Sequence, residues 1–94
     1  MYTREDFYRL LDGCDANCED QRVVFNELYD ERADVHLANE FPEKTGDYWC
    51  VTADDDEYDI GLYQMHFDAE TQKWEWFCGM DVVGWTTFNA QIVD

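Results

Sequence analysis

The chain has no serine, a single proline, five scattered glycines and only six Lys and Arg among its 94 residues. Each shortage excludes something. Without serine there is no G-x-S-x-G nucleophile elbow. Glycines this dispersed build no phosphate-cradling loop. So few cations, nowhere clustered, exclude a protein that holds nucleic acid by its phosphates, and an anionic lipid surface repels the chain. No apolar run approaches the ~18 residues of a membrane-spanning helix. The opening stretch MYTREDFYRLLDG lacks the basic and apolar regions of a signal peptide. The expectation is a cytoplasmic protein with reduced thiols and no membrane association.

What is abundant is acid. Twenty-three Asp and Glu give a formal net charge of −17, in a chain that is still 46% hydrophobic and 17% aromatic. Disorder requires low hydrophobicity together with high charge, and only the second condition is met. The sequence therefore describes one small folded domain over residues 1–94, with a strongly negative surface. Solubility needs a net charge of only ~2–8 in magnitude. The excess opposes compaction by self-repulsion and points to a cationic partner or to an extreme-salt habitat, against which the four Trp, six Tyr, six Phe and four Cys argue. It is concentrated in residues 12–59, which carry 16 acids against Arg22, Arg32 and Lys44.

Thr3 and Asp6 suggest a capped start, and Phe7, Leu10 and Leu11 recur at helical spacing before Gly13, predicting a helix over 3–12. A second helix is expected from about Cys18 to Glu31, with a buried strand at Val23-Val24-Phe25 as the alternative. Residues 33–37 alternate as a short strand would, or form the tail of that helix. Residues 41–46 hold the proline and read as a loop. Strands follow at 48–52, 58–67, 73–78 and 82–88, with 68–72 as a hairpin loop. The fold class is α+β: two N-terminal helices on a C-terminal antiparallel sheet of about four strands.

Alternation along 58–67 puts apolar residues on both faces, Ile60 and Leu62 on one and Tyr63, Met65 and Phe67 on the other. Two helices cover only one face. Tyr63, Met65, Phe67 and Phe77 are therefore candidate interface residues for a homodimer or a docking partner. The alternative is that loop 33–47 folds over them.

Catalytic and metal signatures are weak. Cys14 and Cys18 form one close pair, while Cys50 and Cys78 stand alone, so the two close pairs usual at zinc sites are missing. Buried hydrophobe is the simpler role for these thiols. His36 and His66 belong to no metal motif. The run Asp54-Asp55-Asp56-Glu57-Tyr58-Asp59 fails the EF-hand pattern, which needs glycine at position six and glutamate at twelve, where this chain has Asp59 and Met65. No enzyme activity, cofactor or metal is expected.

The acids instead suggest imitation. On an ideal helix Asp20, Glu27, Glu31 and Asp34 fall within a stripe ~60° wide, at axial steps of roughly 10, 6 and 4.5 Å. DNA presents a phosphate each ~3.4 Å along a strand. Asp30 flanks this stripe, and Asp54, Asp55, Asp56, Glu57 and Asp59 form a second negative knot. With these acids, and an aromatic-rich sheet, the chain resembles, as a class, the small acidic phage-encoded anti-CRISPR proteins and anti-restriction DNA mimics. That resemblance implies a non-enzymatic inhibitor that fills the basic nucleic-acid groove of a CRISPR effector or other nuclease, with no direct nucleic-acid binding. The alternatives are an immunity protein against a cationic toxin, or an adaptor using the aromatic sheet face.

Overall fold

The computed structural model describes residues 2–15, 18–30, 33–75 and 80–88. Helix α1 spans Arg4–Asp12 and α2 spans Glu19–Tyr29. Five strands follow: β1 Val35–Leu37, β2 Gly46–Asp54, β3 Ile60–Asp68, β4 Lys73–Glu75 and β5 Met80–Thr86. They form one antiparallel sheet in the order β1-β5-β2-β3-β4. The fold is α+β as expected. The fifth strand comes from the alternating segment 33–37, which pairs with β5 rather than extending α2. Among the described residues no helix is long and apolar enough to cross a membrane.

Helix α1 is set by a reciprocal cap. The Asp6 amide donates to Thr3 Oγ1 at 3.2 Å, and the Thr3 amide donates to Asp6 Oδ2 at 2.9 Å. Phe7, Leu10 and Leu11 lie on one face and are fully buried; each such side chain contributes about 1.5–3 kcal/mol through the water it sheds. They pack with Trp49, Val51, Ala53, Leu62 and Val83 on one face of the sheet. Helix α2 adds Val24 and Leu28 to this core, and Gln21 Nε2 donates to the Leu62 carbonyl at 2.9 Å, fixing the helix to β3.

A register shift places Val51 opposite Gly84 and Thr52 opposite Val82, so Val83 is an extra residue in β5. Val83 joins the helix-side core, and Gly84 lies under the Phe7 ring. A Cβ at Gly84 would sit 2.5 Å from Phe7 Cδ2 and 2.9 Å from the His36 carbonyl oxygen. The absence of a side chain there is what lets α1 approach the sheet.

The opposite face carries a second cluster of Cys50, Met65, Val82 and Trp85, extended by Tyr48 and Trp74. Strand order explains its cover. β1 and β2 both run antiparallel to β5, so they are parallel to each other, and parallel strands need a crossover. Residues 38–45 make that crossover, passing over β5 on the face without helices. Trp85 Nε1 donates to the Glu40 carbonyl at 2.7 Å, Phe41 stacks on Phe67 at 5.9 Å between ring centroids, and Tyr48 Oη donates to the Lys44 carbonyl at 2.8 Å. The expectation of a broadly exposed aromatic face is therefore corrected. Met65 and Phe67 are buried: the crossover loop sets Phe41 on Phe67, as the loop alternative has it, and Met65 packs among Cys50, Val82 and Trp85.

Candidate functional site: the acidic hairpin

The turn between β2 and β3 is made by the acidic run itself. The Asp54 amide donates to the Asp59 carbonyl at 3.1 Å, and the Glu57 amide donates to the Asp54 carbonyl at 3.0 Å. Asp54 then closes the loop with its side chain, as Oδ1 accepts from the Tyr58 amide at 2.8 Å. Glu57 takes a left-handed conformation, φ 59°, and Gln72 in the next hairpin does the same at 55°.

Helix α1 clamps this turn from outside. Arg9 Nη1 donates to Glu57 Oε2 at 2.9 Å, Nη2 reaches Glu57 Oε1 at 3.4 Å, and Nη2 also contacts Asp6 Oδ1 at 3.3 Å. The two-pronged contact to Glu57 orients the loop as well as neutralising one acid. Glu57 first, then Asp6, raises the Arg9 pKa, and the Thr3 hydrogen bonds hold the Asp6 carboxyl below its ordinary range.

The remaining acids face outward. Asp55, Asp56 and Asp59 are exposed, and no Lys or Arg among the described residues pairs with them. Tyr58 projects between them with 88% of its surface exposed. The reading of 58–67 as strand had Tyr58 and Asp59 inside the ladder; β3 instead begins at Ile60, because the Asp54 side chain holds the Tyr58 amide in the turn.

The helical stripe is not built. α2 ends at Tyr29, with Asp30 as its cap residue. Asp34 stands apart from the helix, just before β1, and Glu31 lies outside the described residues. Acids at Glu27 and Asp30 oppose the negative end of the helix dipole, and no basic residue occupies the last turn to offset them. Asp20 and Glu27 do share a side of α2, but that side borders buried Val24, and both are half-buried. Of the acids proposed from the sequence, the structure brings together the hairpin set and, of the described members of the helical set, leaves Asp34 off the helix that carries Asp20 and Glu27.

Asp34 has a different role. His36 Nε2 lies 2.9 Å from Asp34 Oδ2, and Nδ1 lies 2.9 Å from Glu40 Oε2. A ring with both nitrogens against carboxylates is satisfied only as imidazolium. Partial burial works against that charge, but hydrogen bonds to Glu40 and Asp34 outweigh it and raise the pKa. The ring stacks on Trp85 at 4.3 Å. His36 thus fastens the start of the crossover loop to the sheet. His66 makes a simpler pair with Asp47 at 2.8 Å, which raises its pKa too.

Two of the described thiols, Cys14 and Cys50, are buried and held protonated. Burial, helped by the nearby Asp15 charge, pushes Cys14 up to about 11, and burial pushes Cys50 up further. Cys18 is exposed at the start of α2. Tyr29 Oη donates to Asp12, linking the two helices; burial and that carboxylate raise the phenol to about 12. Among the described residues no three His, Cys, Asp or Glu side chains converge as a metal site would require.

No protein-family model, curated protein or solved structure matches this chain. Function must therefore be argued from the surface.

On the sheet-face set, Tyr63 is 49% exposed, Met65 and Phe67 are buried, and Phe77 lies outside the described residues. The Tyr63 ring lies flat over Gly61, where a Cβ would overlap it. That arrangement aims the ring back toward the acidic hairpin. Arg9 and Tyr58 are the two contributors that sequence reasoning missed. Arg9 lies 48 residues from Glu57, and no local pattern joins them. Tyr58 was legible in part, since a run of four acids before it is poor strand sequence.

Proposed function

We propose that this chain is a non-enzymatic inhibitor that occupies a basic nucleic-acid-binding groove of a CRISPR effector or other nuclease, with the 54–59 hairpin as its leading contact. One observation carries the reading: in a chain of net charge −17, Asp55, Asp56 and Asp59 stand outward and unneutralised by any described Lys or Arg, on a turn fixed by Asp54 and clamped by Arg9. A turn already ordered loses little conformational entropy on docking. Exposed charges of one sign steer association with a cationic groove and reject phosphate-bearing competitors. An exposed tyrosine among them supplies the apolar contact typical of interface hot spots. Burial of Met65 and Phe67 leaves the adaptor reading with Tyr63 alone of its described residues.

The test is a DNA-binding panel of restriction nucleases and guide-loaded CRISPR effectors, each assayed with and without the protein at 50 and 300 mM salt. The expected result is loss of DNA binding by one effector, weaker at high salt, and abolished by the triple change Asp55→Lys, Asp56→Lys, Asp59→Lys. Inhibition that ignores both salt and the triple change would overturn the reading, as would silence across the panel.

A further inference from the structure

Beside the hairpin lies a cleft of about 340 Å³, lined by Asp59, Ile60, Tyr63 and Met80. We propose that this cleft receives an arginine side chain of the basic protein partner; the inference rests on the reading above and names the residue type that the site takes.

Shape and charge act together in this cleft. Tyr63 offers an exposed ring whose position is set by Gly61 beneath it. A planar guanidinium stacks on such a ring better than a compact, strongly hydrated ammonium does. Met80 gives a polarisable apolar wall for the methylene stem, and Asp59 gives a carboxylate that a guanidinium engages through two parallel N–H donors. Register brings these residues together. Met80 pairs with Asp54 at the hairpin base, while Thr52, two residues before it on β2, pairs with Gly61. Tyr63 and Met80 thus share the face opposite the helices, at the end where the acids concentrate. The larger cavity near the crossover loop, about 430 Å³, suits a cation less well. Lys44 and the His36 ring line it beside Glu40 and Glu43, and Glu40 is already engaged by His36, so its acids face cations of the chain's own.

The experiment uses the full chain with ¹³C-methyl methionine and three probes: tetra-arginine, tetra-lysine and tetra-citrulline peptides. The Met80 methyl resonance is expected to shift saturably with tetra-arginine, at an affinity at least about fivefold above tetra-lysine, while tetra-citrulline leaves it still. Gly61→Ala displaces the Tyr63 ring without altering charge, and Tyr63→Leu removes the ring from an exposed position. Both are expected to erase the arginine preference while retaining charge-driven binding of both cationic peptides. If the two cationic peptides bind equally to the parent chain, or the preference survives both substitutions, the cleft assignment is wrong and the basic-partner reading stands. If neither cationic peptide binds at low salt, the basic-partner reading fails and takes the cleft with it.

Discussion

The sharpest test of the packing is Gly84→Ala. Glycine here is a seat for Phe7, not a turn residue. An added Cβ would lie 2.5 Å from Phe7 Cδ2, 2.8 Å from Cε2 and 2.9 Å from the His36 carbonyl oxygen. The backbone oxygen belongs to β1, which pairs with β5 at this point, so it is held by the ladder. Phe7 is fully buried and packs in one core with Leu10, Leu11, Val51 and Val83. Overpacking of this kind costs about 1–3 kcal/mol. Loss of glycine from the unfolded chain returns about 0.4–1 kcal/mol. The net expectation is a destabilisation of about 1–2 kcal/mol, which lowers Tm by roughly 5–15 °C in a domain of this size. The assay is urea and thermal unfolding followed by tryptophan fluorescence. The double variant Phe7→Leu, Gly84→Ala should be more stable than the sum of its single changes, because the smaller side chain clears the clash. An unchanged midpoint for Gly84→Ala, or simple additivity in the double variant, would refute the argument that Gly84 exists to admit Phe7.

Other expectations follow from the electrostatics. His36 has a folded pKa above 6.5, so its contribution is fully present below that value and is lost as pH rises through the folded pKa. The stability gap between the parent chain and His36→Gln should therefore be wider at pH 5.5 than at pH 9; a gap that widens toward pH 9 would contradict the double-carboxylate clasp. In a Cys78→Ala background, Cys18 should react with a thiol reagent in the folded state, while Cys14 and Cys50 wait for unfolding. Fast labelling of Cys50 in native buffer would show that its cluster with Met65, Val82 and Trp85 opens readily. Because a net charge of −17 repels itself, Tm should rise between 10 mM and 0.5 M NaCl as the Debye length shrinks several-fold. A flat or falling Tm would mean that ion pairs such as Arg9–Glu57 outweigh the repulsion.

The sequence by itself determined whatever depends on neighbours along the chain. The Thr3–Asp6 box, the apolar spacing of Phe7, Leu10 and Leu11, the period-two alternation of β3 and the acidic run at 54–57 are all local, and each survives into the structure. From them came the fold class and the hairpin half of the candidate site. Helical spacing alone misplaced the other half. It continued α2 through acids that the helix dipole disfavours, and so put Asp34 in one stripe with Asp20 and Glu27, whereas α2 stops at Tyr29 and Asp34 lies off it. Tertiary structure decided what depends on strand order. With β5 between β1 and β2, residues 38–45 had to cross the second face, which set Phe41 over Phe67, while Met65 is buried among Cys50, Val82 and Trp85 where alternation had left it open. It also brought Arg9 against Glu57, and Tyr63 and Met80 to the same end of the sheet as the acids. Periodicity tells which side of an element is apolar. Only the closed chain tells what lies on that side, because that contact is made by residues tens of positions away.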